Sequence, residues 1–334
     1  MSIFHRHFLT RLLLGTLTVF VIAACSDVDG KNATSDRAIA PGTSSPAAYR
    51  AIEHALGTTQ VPIEPKRVVV LGNTPLDATL ALGIEPVGVA AWGGVKSISG
   101  VQHLFKDKKI EGIEYLGQES QPNLEKILVL KPDLILGSGR THKEIYGQLS
   151  KIAPTVLCEW SDTWTPMTWK EDFKCYAEAL DKTDEAEQIV SNYNQRVAQF
   201  KQQMGNRLSR TQVSVVHFEP GEVRLYMNDS YIGSILQDLG LPRPPAQNQD
   251  KWSELISLER LANADGDVIF VTRLGSQGTP YQKFTSNPLW QQLGAVRSDR
   301  VYEVDYQYWI GGSGPIASNL ILDDLFRYLV EDFS

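Results

Sequence analysis

The chain has 334 residues, of which 42% are hydrophobic and 21% charged, and its formal net charge is −7. This composition is that of a globular protein and excludes disordered, collagen-like and multi-pass membrane chains. The negative charge gives no electrostatic reason to expect nucleic acid as a partner. Three cysteines are too few to build a fold from disulfides, and the six histidines lack zinc-site spacing.

The N-terminus has the pattern of a bacterial lipoprotein signal peptide. Residues 1–24 contain no acidic residue, and their apolar run from Leu12 to Ala24 is short for a permanent membrane-spanning helix. The run ends in Ile22-Ala23-Ala24-Cys25, which resembles a lipobox, a motif whose cysteine is lipidated and becomes the new N-terminus. We therefore predict lipidation of Cys25; an ordinary signal peptide followed by a chance cysteine is the alternative.

The segment after Cys25 is rich in Ser, Thr, Asp, Asn and Ala up to about Pro46. It has too little apolar content to bury, so residues 25–57 are predicted to be a flexible tether. Export places Cys158 and Cys175 in an oxidising compartment. Either a disulfide between them or two buried free thiols is compatible with the sequence, because their separation in space is not readable.

Short β-branched runs alternate with segments of helical periodicity in the first half of the body, which predicts βα units and a mainly parallel sheet. The predicted strands are Arg67–Leu71, Pro86–Ala90, Asp133–Leu136 and Thr155–Leu157, and the predicted helices are Leu76–Leu82 and Leu124–Leu130. The next segment, 169–203, keeps helical spacing without Pro or Gly. It is predicted as one long helix, with two collinear helices as the alternative.

The βα pattern restarts after this segment. Its strands are predicted at Val213–Val216, Val223–Met227, Asp267–Val271 and Val301–Val304, with a hairpin turn at Pro220-Gly221 and helices at Ile232–Leu239 and Ala317–Leu329. Asn123–Ile127 and Ser257–Leu261 precede corresponding strands in the two halves, which favours two similar lobes over one continuous α/β domain. The predicted divisions are 1–24, 25–57, 58–166, 167–205 and 206–334.

Several motifs resemble a known family. Gly117-x3-Gln121-Pro122-Asn123-Leu124-Glu125-Lys126-Ile127, Lys131–Ile135 and Asn287-Pro288-Leu289-Trp290 are similar to substrate-binding lipoproteins of the iron–siderophore and vitamin B12 type. The resemblance covers nearly all of residues 60–330. It implies two α/β lobes joined by one long helix, a ligand in the cleft between them, and delivery to the permease and ATPase of an ATP-binding-cassette importer.

Ligands of parallel sheets bind beyond the carboxyl ends of the strands, where this chain is rich in Trp, Tyr and Arg. Aromatic faces would pack against the organic shell of a ferric siderophore, and guanidinium groups would hold carboxylate or hydroxamate oxygens with two donors. Core positions for the aromatics and surface salt bridges for the arginines are the alternatives. The predicted ligand-binding residues are Trp92, Arg140, Tyr226, Arg273, Tyr306, Tyr308 and Trp309.

Glu125 and Glu259 occupy equivalent positions in the two repeats. The resemblance implies that they dock with arginines of the permease; ordinary glutamates favoured by the positive end of a helix are the alternative. The siderophore would hold the iron, so no direct metal ligand and no cofactor are expected.

The sequence as a whole predicts a monomeric, lipid-anchored protein of the periplasm that captures a ferric siderophore and performs no covalent chemistry. Hydroxamate and citrate types are favoured by the two arginines. Gly137-x-Gly139 lacks the third glycine of a dinucleotide site, and Gly312-Ser313-Gly314 does not fit the nucleophile motif of a serine hydrolase. Haem, with His217 as a possible axial ligand, vitamin B12, or a sensor role without a transporter are the alternatives.

Overall fold

Two β-sheets with helices between and outside them form the protein. The computed structural model describes residues 48–91, 112–158, 168–274 and 280–331. The first lobe, residues 48–91 and 112–158, holds a six-stranded sheet, and the second lobe, residues 213–274 and 280–331, holds a five-stranded one. This is the predicted α/β architecture of two lobes with mainly parallel sheets. Within the described ranges no helix is both long and apolar enough to span a bilayer.

The first-lobe sheet has the strand order β6-β5-β4-β3-β7-β8, and only the β5–β6 pair is antiparallel. Its strands are β3 (Val68–Leu71), β4 (Gly88–Ala91), β5 (Glu114–Gln118), β6 (Gln121–Pro122), β7 (Leu134–Ser138) and β8 (Thr155–Cys158). Every residue of β3, β4, β7 and β8 is buried. Continuous apolar runs form these strands because helices cover both faces of the sheet.

A separate hairpin precedes this sheet. It consists of β1 (Tyr49–His54) and β2 (Gly57–Pro62), which pair in antiparallel register. Ile52 and Val61 of the hairpin are buried in the main core. The prediction of a flexible tether up to residue 57 is therefore wrong for residues 49–57, because the alternating residues of this segment pair with β2 and bury one face.

The helices of the first lobe begin and end at recognisable signals. They are α1 (Asn73–Ala81), α2 (Leu124–Leu130), α3 (Gly139–His142) and α4 (Tyr146–Leu149), with a 3₁₀ turn at Lys143–Ile145. The Asn123 side chain caps α2 by accepting the Lys126 amide at 2.9 Å. Gly72 precedes α1 with φ of 122°, a conformation that favours glycine.

The interlobe segment 167–205, predicted as one long helix or two collinear ones, contains two helices that are not collinear, α5 (Trp169–Leu180) and α6 (Thr183–Met204). Asp181 ends α5 in the left-handed conformation, with φ of 59°, and forms an ion pair with Arg50. The helices then pack side by side, since the rings of Trp169 and Tyr193 lie 4.9 Å apart. Aspartate tolerates the left-handed region better than most residues, so the chain reverses here without a glycine.

The second-lobe sheet has the strand order β11-β10-β9-β12-β13. Its strands are β9 (Val213–Glu219), β10 (Glu222–Tyr226), β11 (Ser253–Leu255), β12 (Val268–Arg273) and β13 (Val301–Glu303). The β9, β12 and β13 strands are parallel, whereas β10 forms the predicted hairpin with β9. The sheet is flanked by α7 (Tyr231–Leu239), α8 (Pro280–Thr285), α9 (Gly294–Arg297), α10 (Tyr306–Trp309), α11 (Pro315–Phe326), a π-helical turn at Arg327–Glu331 and 3₁₀ turns at Gly205–Arg210, Leu258–Ala264 and Trp290–Gln292.

One hydrophobic core extends through both lobes. It contains the inner faces of both sheets together with α1 and α5 from the first half and α6, α7 and α11 from the second. Smaller clusters cover the outer face of each sheet. Because the lobes share a core, large independent movements of the two sheets would expose apolar surface.

A disulfide joins Cys158, at the end of β8, to Cys175 in α5. The sequence left this pairing open. The bond attaches the first of the two connecting helices to the edge strand of the first-lobe sheet.

Candidate ligand-binding site

An imidazole and two phenol rings meet near the carboxyl ends of β9 and β13 in the second lobe. The His217 ring at the end of β9 stacks on Tyr306 of α10, with ring centroids 4.9 Å apart. Tyr226, at the end of β10, lies 6.1 Å from the same imidazole. His217 Nδ1 and Thr272 Oγ1 share a hydrogen bond of 2.8 Å, which fixes the ring to the neighbouring strand. We call His217, Tyr226 and Tyr306 the aromatic cluster.

The aromatic cluster is uncharged near neutral pH. Burial lowers the pKa of His217 to about 4 and raises the pKa of Tyr226 to about 12. Burial also raises the pKa of Tyr306, with a further contribution from Tyr226. The three side chains are buried, between 2% and 8% exposed. Neutral aromatic faces of this kind suit the organic part of a bulky ligand.

Arg224 and Glu219 lie beside the aromatic cluster, and the sequence analysis missed both. Arg224 faces His217 across the β9–β10 pair, and its Nε donates to Glu219 Oε1 at 3.1 Å. The guanidinium lowers the pKa of His217 further, whereas the Glu219 carboxylate raises it. The hairpin turn at Pro220-Gly221 was the available signal, because a two-residue turn there brings His217 opposite Arg224.

The two predicted arginines differ in their surroundings. Arg273, at the end of β12, donates to Glu303 from Nε at 2.8 Å, and its guanidinium lies 4.7 Å from the Tyr281 ring. It therefore has the surface salt bridge that was the alternative to ligand contact. Arg140, in the first turn of α3, is exposed, and in the described part of the chain it forms no ion pair.

The segment 306–309 is a helix, so the two predicted ligand-binding tyrosines Tyr306 and Tyr308 do not share a face. Asp305 caps this helix by accepting the Gln307 amide at 2.8 Å. As a result, Tyr306 joins the aromatic cluster while Tyr308 turns away and donates to Asp324 at 2.8 Å.

Trp309 lies in the core. Its side chain is fully buried, packs against Phe270 at 4.6 Å between ring centroids and donates from Nε1 to Asp324 at 2.8 Å. The assignment of Trp309 to the ligand-binding set is therefore corrected, because α10 directs this ring towards the sheet and away from the strand ends. Trp92, the other tryptophan of the predicted set, lies outside the described residues, as does Cys25.

The first lobe approaches the aromatic cluster through the turn between β3 and α1. Asn73 Nδ2 donates to the Gly311 carbonyl oxygen at 3.0 Å, and the Gly311 amide donates to the Tyr306 carbonyl oxygen at 3.0 Å. Segments that follow β3 of the first lobe and β13 of the second thus meet beyond the carboxyl ends of these strands, where α/β proteins hold their ligands.

The two glutamates predicted to dock a partner are both exposed. Glu125 lies in the first turn of α2, and Glu259 lies in the first turn of the 3₁₀ segment Leu258–Ala264. A hydrogen bond from Ser257 lowers the pKa of Glu259. Both carboxylates are exposed to a partner surface, and their positions in first turns also fit the alternative of dipole stabilisation.

The described residues provide no obvious metal centre. Among residues 48–91, 112–158, 168–274 and 280–331, no three His, Cys, Asp or Glu side chains form a group able to hold a metal ion. The side chains at the site provide aromatic faces, a neutral imidazole and guanidinium groups. These groups suit an organic ligand that carries carboxylate or hydroxamate oxygens.

Known proteins are similar to this chain over most of its length. The sequence profile of a family described as periplasmic binding protein matches residues 68–308. The chain is 35% identical over 337 residues to the probable siderophore-binding lipoprotein YfiY of Bacillus subtilis, covering 97% of this chain and 98% of YfiY. It is 32% identical over 314 residues to the Fe(3+)-citrate-binding protein YfmC of the same bacterium, covering 93% of each.

A solved structure shows the same arrangement. SirA of Staphylococcus aureus, in complex with staphyloferrin B, matches with a TM-score of 0.72 and 32% sequence identity. The match covers 84% of this chain and 98% of the SirA chain. The similarity extends over both lobes.

Proposed function

The chain belongs to the periplasmic binding protein family, and on this premise we propose that it captures a ferric siderophore and delivers it to an ATP-binding-cassette importer. The observation that carries the proposal is the neutral aromatic cluster near the carboxyl ends of β9 and β13. The names of YfiY, YfmC and SirA, which concern siderophores, ferric citrate and staphyloferrin B, support it.

The ligand contacts divide into apolar and cationic ones. Tyr226 and Tyr306 pack against the organic shell, and Trp92 stays a ligand contact predicted from the sequence. Arg140 and Arg273 hold anionic oxygens of the siderophore from the two lobes, and Arg224 adds positive charge beside the cluster. Because Arg273 is bonded to Glu303 in the free protein, binding requires it to exchange or share that partner.

The siderophore, not the protein, holds the iron. Ferric iron is the cargo, and no resident cofactor or catalytic step belongs to this function. Lobe positions change little on binding, because the lobes share one hydrophobic core. The protein acts as a monomer that meets the permease through Glu125 on the first lobe and Glu259 on the second.

Capture takes place in the periplasm, outside the cytoplasmic membrane. Lipidation of Cys25 anchors the chain, and the polar stretch between Cys25 and β1 spaces the lobes from the bilayer. An anchored binding protein stays near its permease, which raises the effective concentration of loaded protein at the importer.

Uptake of iron-55 tests this function. Cells lacking the protein should lose uptake of at least one ferric siderophore, and the full-length chain should restore it. The same cells should take up cobalamin and haem iron normally. Normal uptake of every ferric siderophore by the deficient cells, or loss of cobalamin or haem uptake alone, would contradict the proposal.

A further inference from the structure

A buried carboxyl group of the first lobe bonds to the start of a helix in the second lobe. Asp77 lies in α1 and is 3% exposed. Its Oδ1 accepts the Ile316 amide at 2.8 Å, and its Oδ2 accepts the Ala317 amide at 2.9 Å. The two donors belong to the first turn of α11.

These amides are the ones that a helix cannot satisfy by itself. The first amides of a helix have no partner within it, and the residue before the helix usually supplies an oxygen. Gly314 holds that position before α11 and has no side chain, while Pro315 at the first helical position has no N–H. Asp77 therefore caps α11 from the other lobe.

Gly314 is closely packed between Asp77 on one side and Tyr231 on the other. A Cβ added to Gly314 would lie 2.5 Å from Asp77 Cγ, so this position has room for glycine only. On the opposite side, Tyr231 donates from its hydroxyl to the Gly314 carbonyl oxygen at 3.0 Å. Gly314 is thus held between α1 of the first lobe and α7 of the second.

The same turn of α1 reaches the aromatic cluster. Asn73, four positions before Asp77, donates to the Gly311 carbonyl oxygen, and the Gly311 amide donates to Tyr306. Side chains of α1 therefore hold the chain after Tyr306 at two points, at Gly311 and at the start of α11. Its conformation decides where the Tyr306 ring meets His217.

We propose that Asp77 is a positioning residue for the ligand site: by capping α11 across the lobe boundary, it fixes the 306–314 segment that carries Tyr306 and sets the separation of the lobes beside the cleft. The part of this inference that concerns affinity rests on the proposed function. The part that concerns lobe separation does not.

The first test compares Asp77→Ala with a matched control. Asp265 caps α9 with the same chemistry, accepting the Gly294 amide at 2.9 Å and the Ala295 amide at 3.3 Å, but donor and acceptor lie in one lobe. Asp77→Ala should weaken the affinity for the transported ferric siderophore about tenfold or more, whereas Asp265→Ala should change it less than about twofold. Asp77→Asn, which keeps one acceptor oxygen, should recover part of the loss.

The second test measures the lobes without a ligand. Glu85 in the first lobe and Gln237 in the second are exposed. Spin labels attached at Glu85→Cys and Gln237→Cys report the distribution of distances between the lobes by double electron–electron resonance. Asp77→Ala should broaden this distribution, and Asp265→Ala should leave it unchanged. If Asp77→Ala does not fold, Asn73→Ala removes the second contact of α1 and should produce a smaller change of the same kind.

Unchanged distance distributions in Asp77→Ala, or equal effects of Asp77→Ala and Asp265→Ala on affinity, would overturn the inference. A wild-type protein that binds no ferric siderophore would instead overturn the proposed function. In that case the distance measurement still decides whether Asp77 positions the lobes.

Discussion

His217 and Asp77 give the folded state opposite responses to pH. Burial lowers the pKa of His217 from 6.5 to about 4, so its contribution to stability is present above pH 6.5 and is lost as the pH falls towards 4. Burial raises the pKa of Asp77 from 3.8 to about 7, against the two amide bonds that lower it. Its contribution is present below pH 3.8 and is lost as the pH rises through 7.

Substituting each residue should therefore tilt the pH profile of stability in opposite directions. When the pH is lowered from about 7 to about 4.5, the free energy of unfolding of His217→Gln should fall by roughly 2–3 kcal/mol less than that of the wild type. The free energy of unfolding of Asp77→Asn should fall by more than that of the wild type. Urea unfolding followed by circular dichroism at both pH values measures the difference. Parallel profiles for all three proteins would contradict these assignments.

The two arginines should contribute unequally to binding. Arg140 is exposed and has no ion pair among the described residues, so Arg140→Ala should weaken the affinity for an anionic ferric siderophore about tenfold. Arg273→Ala should weaken this affinity less, because Arg273 already bonds to Glu303. Arg297→Ala, at an exposed arginine of α9, is the control. Unchanged dissociation constants for both variants would mean that the arginines do not hold the ligand.

At the scale of elements, the disulfide holds α5 against the first-lobe sheet. The cysteines are 17 positions apart, and the bond closes the loop between them. Loss of the bond should lower the free energy of unfolding by roughly 2–3 kcal/mol. Dithiothreitol should lower the melting temperature of the wild type and leave that of the double variant Cys158→Ala, Cys175→Ala unchanged. Equal melting temperatures of oxidised and reduced wild type would contradict a stabilising role.

The strands were predictable because helices cover both faces of each sheet, which requires continuous apolar runs such as Val68–Leu71. The reversal between α5 and α6 was not, since the left-handed conformation of Asp181 is accompanied by an ion pair with the distant Arg50. The helix at Tyr306–Trp309 had a readable signal in its capping residue Asp305. Missing that signal placed Trp309 in the cleft.

At the scale of the whole molecule, contacts between distant segments decide the site. The pairing of Asp77 with Ile316 and Ala317 joins the first helix to α11, and no periodicity in either segment reveals it. The exposed glutamates of the two lobes, by contrast, followed from the repeat in the sequence. The symmetry of the lobes was readable, whereas the contacts that hold them together required the structure.

Iron uptake through the permease should depend on Glu125 and Glu259, whereas the affinity for the ferric siderophore should not. The double variant Glu125→Ala, Glu259→Ala should bind the ferric siderophore with unchanged affinity and lose most of the iron-55 uptake, because both carboxylates are exposed and neither belongs to the aromatic cluster. Glu187→Ala, at an exposed position of α6, is the matched control. Normal uptake with the double variant would contradict a docking role.

The most direct test of the account is a tryptophan fluorescence titration of the purified protein. The chain has seven tryptophans to report binding. The ligands added are ferric hydroxamate, citrate and catecholate complexes, haem and cobalamin. The iron-free form of each chelator is the control. We predict saturable quenching by one ferric complex and none by its iron-free form. Quenching by haem or cobalamin alone, or by no ferric complex, would contradict the proposal that this protein captures a ferric siderophore.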